Sequence, residues 1–126
     1  MMTKRILIID DDTDILAVTQ LALKSVGGWE VSMATSGQEG LVKALKEQPD
    51  AILLDVMMPD MDGIATFQAL QADPATQAIP VILMTAKVQA SERRRFAHLG
   101  VVSIIIKPFK AMKLPAQIAE VLGWSQ

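Results

Sequence analysis

The chain has 126 residues, the size of one domain, and a chain of that length can bury roughly two thirds of the surface its unfolded form exposes. Hydrophobic residues make up 51% and charged residues 21%, a globular composition that excludes disorder. With 12 basic and 14 acidic residues the net charge is −2, so no general attraction draws it to nucleic acid or an anionic membrane, and the lack of cysteine removes disulfides, zinc–thiolate sites and thiol catalysis.

No apolar run approaches the roughly 18 to 20 residues of a membrane span, and the N-terminus turns acidic at Asp10, too soon for a signal peptide. A cytoplasmic protein is expected, forming one domain over residues 1–126 with no room after Leu122 for an output domain.

Ile6-Leu7-Ile8-Ile9 reads as a first strand that stops at Asp10-Asp11-Asp12, with Asp12 as cap of the helix that follows from about Thr13. That helix carries Ile15, Val18, Ala22 and Val26 on one face, widened by Leu16 and Leu23, and Gly27-Gly28 closes it. Glu30 to Ala34 alternates apolar and polar residues, the pattern of a strand solvated on one face near a sheet edge. Ser36-Gly37-Gln38-Glu39 is a capping box, opening a helix through Leu41, Val42 and Leu45 that ends before Pro49.

Ala51-Ile52-Leu53-Leu54 ends abruptly in Asp55, and Pro59 and Gly63 mark a turn before the next helix, which carries Ile64, Phe67 and Leu70 and stops at Asp73-Pro74. Periodicity alone fits a buried helix as well as a strand; the turn residues favour strand. Asp60 and Asp62 are expected as local backbone acceptors in the turn. Pro80 to Met84 is a further buried strand, ending in Thr85-Ala86-Lys87. A helix from about Val88 to Leu99 follows; its Arg93, Arg94 and Arg95 read as a solvated face, and His98 has no catalytic partner. Val102 to Ile106 ends in Lys107-Pro108-Phe109, and a last helix runs from about Met112 to Leu122 with Pro115 in its first turn. Trp29 and Trp124 are packing residues.

Five strands alternating with five helices through short loops imply a doubly wound α/β domain, a parallel sheet with helices on both faces. The flavodoxin-like order 2-1-3-4-5 fits best, because it places the alternating second strand at an edge. Asp10 with Asp11, Asp55, Thr85 and Lys107 then converge at the carboxyl ends of the strands. Three carboxylates so placed repel one another unless a cation joins them, and oxygen-only ligands suit a hard ion, Mg²⁺. A metal, a carboxylate nucleophile, a hydroxyl and a lysine are the parts needed to move a phosphoryl group onto Asp55, with Thr85, the Ala86 backbone N–H and Lys107 receiving its oxygens.

These residues, Asp10-Asp11, LLDVMMPDMDG around Asp55, Thr85-Ala86 and Lys107-Pro108-Phe109, resemble the receiver domain of two-component response regulators along essentially the whole chain. The resemblance implies phosphorylation of Asp55 from a phosphohistidine of a sensor histidine kinase or histidine phosphotransfer protein. It also implies Mg²⁺ held by Asp10 or Asp11, Asp55 and the carbonyl of Met57, and a cis peptide before Pro108. Output would go to a downstream protein through the face made by the fourth helix, fifth strand and fifth helix.

Two departures stand out. Ile104 occupies the switch position where the family usually carries Tyr or Phe, and Met57 and Lys87 stand two residues beyond Asp55 and Thr85, at positions that in the family flank the water that hydrolyses the acyl phosphate. Met57 cannot orient a water, which implies a long-lived phosphorylated state. The rival readings are a Mg²⁺-dependent aspartate-nucleophile phosphatase, a receiver-like module that never takes phosphate, and a flavin carrier. Met57, where such a phosphatase places a second Asp, disfavours the first; the acidic and lysine set disfavours the second; the absence of a Ser/Thr/Gly-rich loop after the first strand disfavours the third.

Overall fold

The computed structural model describes residues 3–58, 61–86 and 90–124, together with all their side chains except those of Ala90, Arg93 and Ala97. Pro59, Asp60, Lys87 and the expected helix start at Val88 lie outside the described residues. Along the chain come β1 (Arg5–Ile9), α1 (Thr13–Ser25), β2 (Glu30–Ala34), α2 (Gly37–Glu47), β3 (Ala51–Asp55), α3 (Gly63–Ala72), β4 (Val81–Thr85), α4 (Ala90–Leu99), β5 (Ser103–Ile106) and α5 (Leu114–Leu122). All strand pairs are parallel and the sheet order is β2-β1-β3-β4-β5, as the alternation in the sequence predicts.

Successive side chains of a strand point to opposite faces, so each central strand feeds two cores. Ile6, Ile8, Leu53, Ile82 and Met84 pack with Leu16 and Leu23 of α1 and Leu114 and Ile118 of α5. Leu7, Ile9, Ile52, Leu54 and Leu83 pack with Ala44 of α2, Phe67 and Leu70 of α3 and Phe96 of α4. Burial on both faces is why β3 and β4 are continuous apolar runs, while the edge strands β2 and β5 are only partly covered. Trp29 is buried, and Trp124 packs against it edge to face, ring centroids 5.2 Å apart, with the Lys4 ammonium 5.1 Å from the Trp124 ring.

Helix faces differ from expectation in places. In α1 the buried line is Leu16, Thr19, Ala22 and Leu23, while Val18 and Val26 are exposed. Apolar residues surround most of that helix, so spacing alone does not show which stripe meets the sheet. In α2, Val42 and Leu45 are exposed and Leu41 is half-buried; the seam against the sheet is Gly37, Gly40 and Ala44. A Cβ on Gly40 would overlap the Ile9 side chain, so this helix approaches β1 on its smallest residues. Its capping box forms with one change: Ser36 Oγ accepts from the Glu39 N–H at 3.1 Å, but Glu39 accepts from Thr35, one residue before the cap. A single 3-10 turn, Ala111–Lys113, covers the expected start of the last helix, and α5 begins at Leu114 with Pro115 in its first turn.

The Gly40 seam gives a stability contrast. Gly40→Val is expected to cost about 1 to 3 kcal/mol through overpacking against Ile9, and Val42→Ala under about 0.5 kcal/mol, as for an exposed position. Urea unfolding of the two variants checks this, and equal costs would contradict the seam.

Candidate functional site

The parallel sheet brings four strand ends to one side. Asp10 follows β1 and remains tied to the sheet, its N–H donating to the Ala34 carbonyl at 3.0 Å. Asp55 and Thr85 are the last residues of β3 and β4, and Lys107 follows β5, its N–H donating to the Thr85 carbonyl at 2.8 Å. Asp10 is 0% exposed and Asp55 and Thr85 each 5%. Such burial of two carboxylates requires partners.

Those partners are present. The Lys107 ammonium donates to Asp10 Oδ2 at 2.7 Å and to Asp55 Oδ1 at 3.2 Å. The other oxygen of Asp10 accepts from the Asp12 N–H at 2.9 Å. Asp12 caps α1 as expected, accepting from the Asp14 and Ile15 N–H groups. Asp62 does the same for α3, accepting from the Ala65 N–H at 2.8 Å. Both stay out of the cluster.

Carboxylate oxygens of Asp10, Asp11 and Asp55 lie within 4.8 Å of one another. Among the described residues three carboxylates thus face one ammonium, and two of the three are cut off from water. Burial, then the charge of Asp10, push the Asp55 carboxyl up to about 6, against the opposing pull of Lys107 and of hydrogen bonding from the Met57 backbone N–H. For Lys107, burial acts to lower the ammonium, but the hydrogen bond and charge of Asp10, with those of Asp55, outweigh it and raise it above its ordinary value. An all-oxygen donor set carrying excess negative charge fits a hard divalent ion such as Mg²⁺.

The other expected residues fall around this cluster. Ala86 is exposed beside Thr85, and Met57 is 73% exposed, its side chain at the mouth of the site. The Lys107–Pro108 peptide is cis. Ile104 is half-buried and packs into the core on the α4 side of the sheet. Lys87, the remaining expected neighbour, is outside the described residues.

Two features are not apparent from sequence. Gly63 is read there as turn punctuation, yet its φ is not in the left-handed region; it is needed because a Cβ would overlap the Asp55 carbonyl oxygen and crowd Val56 Cα. The Gly63 N–H closes the loop by donating to the Val56 carbonyl at 2.9 Å. The Asp-Gly pair before the helix is the available signal, but it does not disclose the contact. Secondly, a groove of about 1050 Å³ opens between α3 and α4, with Met57, Thr85 and Ala86 on one side and Ile64, Arg95 and Phe96 on the others. Arg94 and Arg95 are exposed, as a solvated face requires, and Arg95 also lines this groove.

The raised Asp55 carboxyl sets a pH dependence. A carboxyl that binds its proton more tightly when folded stabilises the fold in acid, and that contribution is lost as pH rises through the window from about 4 to about 6. Without divalent cation, Asp55→Asn is therefore expected to match the wild type below pH 4 and to exceed its stability by on the order of 1 to 3 kcal/mol above pH 6. Millimolar Mg²⁺ should narrow the difference. Urea unfolding across pH measures it, and a gap independent of pH would refute the buried-charge account.

Comparison with known proteins shows the family. A family model described as the response regulator receiver domain matches residues 6–119. The transcriptional regulatory protein PrrA of Mycobacterium tuberculosis is 35% identical over 118 residues, 94% of this chain and 49% of that protein. The alkaline phosphatase synthesis transcriptional regulatory protein PhoP of Bacillus subtilis is 34% identical over 125 residues, 99% of this chain and 51% of PhoP. The chain thus spans about half the length of these curated relatives. Among solved structures, the chemotaxis protein CheY4 of Vibrio cholerae superposes with a TM-score of 0.88 at 27% identity, covering 95% of this chain and 99% of that one. A CheY-like receiver domain protein from Methanospirillum hungatei gives 0.84 at 32% identity, covering 97% and 95%. Matched over nearly its whole length by the family model and carrying that family's fold, the chain belongs to the response regulator receiver domains, a signalling family.

Proposed function

We propose that Asp55 is the phosphoacceptor of a Mg²⁺-dependent phosphorelay and that its modification switches the domain. The observation that carries this reading is the Lys107 ammonium shared between Asp10 and Asp55 beside a third carboxylate. Asp55, with its carboxyl near 6, is largely ionised at neutral pH and available as a nucleophile. One of its oxygens attacks the phosphorus of a phosphohistidine on a sensor kinase or phosphotransfer protein; the P–O bond forms, the P–N bond breaks, and the imidazole leaves with the electron pair.

Asp10 or Asp11, Asp55 and the Met57 carbonyl would hold Mg²⁺, which when bound neutralises charge on the transferring oxygens. Lys107 is within a short displacement of those oxygens, since it already bonds Asp55. Thr85 and the Ala86 N–H lie at the adjoining strand end, where they can receive the remaining oxygens. In this way the domain assists its own phosphorylation while the donor protein supplies the reactive group. A cytoplasmic location follows from a kinase as donor.

The phosphoryl group adds about −1.5 to −2 of charge to a cluster in which, among the described residues, one ammonium faces three carboxylates. Thr85 and Lys107 are drawn toward it, and the face of α4, β5 and α5 changes to meet a downstream protein. Half-buried Ile104 would take part by repacking, since it has no ring to swing. Met57, with no group to orient water, and Lys87 beside Ala86 would set the life of the phosphorylated state.

Incubation with acetyl phosphate and Mg²⁺ is expected to add one phosphoryl group by intact-mass measurement. Asp55→Asn or chelation of the metal should abolish the addition. An unlabelled wild type, or equal labelling of Asp55→Asn, refutes the reading. Met57→Asn should shorten the phosphoryl half-life by roughly threefold to tenfold, about the effect of one hydrogen bond to the attacking water; an unchanged rate removes Met57 from that role.

A further inference from the structure

Resting on the phosphoacceptor reading, we propose that Met57 is a peroxide-sensitive modification site whose conversion to the sulfoxide shortens the life of the phosphorylated state. The chain has no cysteine and eight methionines, so methionine is its only sulfur chemistry. Three of them, Met57, Met58 and Met61, follow directly on Asp55. Met58 is buried and Met61 half-buried, whereas Met57 is the most exposed large apolar side chain among the described residues.

An oxidant reaches this thioether without any opening of the fold, and susceptibility of sulfur follows exposure. Position gives the reaction a consequence. The Met57 backbone N–H interacts with the Asp55 carboxylate, and its side chain lines the same groove as Thr85 and Ala86. A thioether there is at most a weak acceptor and leaves the approach to the acyl phosphate apolar.

With hydrogen peroxide as oxidant, the sulfur lone pair attacks one peroxide oxygen. The S–O bond forms as the O–O bond breaks, sulfur loses two electrons, and the second oxygen leaves as water after taking up, directly or through solvent, the proton that the transferred oxygen gives up. The product is a polar, chiral side chain of nearly the same length. Its oxygen accepts a hydrogen bond from a water beside the phosphoryl group, which the unmodified residue cannot do. Oxidation thus clears the phosphorylated state while leaving the Met57 backbone carbonyl in place for the metal.

Met112 provides an internal reference, since it is 68% exposed, nearly as open as Met57, but lies in the turn before α5. Wild type, Met57→Leu and Met112→Leu are phosphorylated with acetyl phosphate and Mg²⁺. Half of each is treated with hydrogen peroxide until peptide mass spectrometry shows full oxidation at position 57 of the wild type, and loss of the phosphoryl group is followed. In wild type and Met112→Leu the half-life is expected to fall on the order of threefold to tenfold, the effect of one added hydrogen bond. In Met57→Leu it should not respond, and methionine sulfoxide reductase should restore the wild type. Met57→Gln, which carries an amide oxygen at about the same place, should show the short half-life without peroxide. An unchanged half-life in the oxidised wild type, or an equal fall in Met57→Leu, overturns the proposal. A wild type that accepts no phosphoryl group overturns the phosphoacceptor reading and this inference with it.

Discussion

Lys107 donates to Asp10 at 2.7 Å and to Asp55 at 3.2 Å, and these two bonds join the ends of β1, β3 and β5 across as many as 97 residues of sequence. Neither carboxylate could stay charged so far from water without them. The pairing is short of neutrality, because among the described residues one ammonium faces three carboxylates. A fully compensated cluster would be more stable and would gain less from a cation. Burial first, and then the charge of Asp10, raise the Asp55 carboxyl within it.

Such an arrangement is available only because the strands are parallel and their ends coincide. In the register of the sheet, Asp55 pairs with Met84 and Thr85 with Ile106, so the polar residue after each apolar run arrives at nearly the same height. The close approach of α3 at Gly63 completes the arrangement from the other side, pressing the backbone after Asp55 against the start of the helix. Any side chain at position 63 would force that loop outward and take the Met57 backbone with it. The site therefore depends on a missing Cβ as well as on the charges present.

The strand ends were legible in the sequence because a carboxylate, hydroxyl or lysine closing an apolar run is visible without knowledge of its neighbours. Asp10, Asp55, Thr85 and Lys107 each stood out in this way, and a parallel sheet order made them partners. The cis peptide before Pro108 came from resemblance and could not have come from composition. Helix faces were less legible. In α1, apolar side chains lie on several sides, and only contact with the sheet selects Leu16 and Leu23 over Val18 and Val26. In α2 the glycine seam contradicts the rule that the largest apolar residues face inward, because Ile9 already fills the space. The groove between α3 and α4 was invisible, since its walls come from segments separated by tens of residues.

Met57 and Ile104 show where a shared fold permits divergence. Neither holds the charges: Met57 contributes its backbone to the site and projects its side chain into solvent, and Ile104 packs behind the strand end. The charged residues are constrained by one another, for removing Lys107 leaves two buried carboxylates without their ammonium. A side chain that contributes only through its backbone, or only through apolar volume, is free of that constraint. In the proposed function it could therefore change how long the modified state lasts, or how it is relayed, without disturbing the chemistry that makes it. In the proposed function, polarity at position 57 would act on water beside Asp55, and shape at position 104 on the packing beneath α4. In the proposed function, lifetime and readout are in this sense separable from acceptance of the phosphoryl group, and that separation follows from which atoms of each residue the cluster uses.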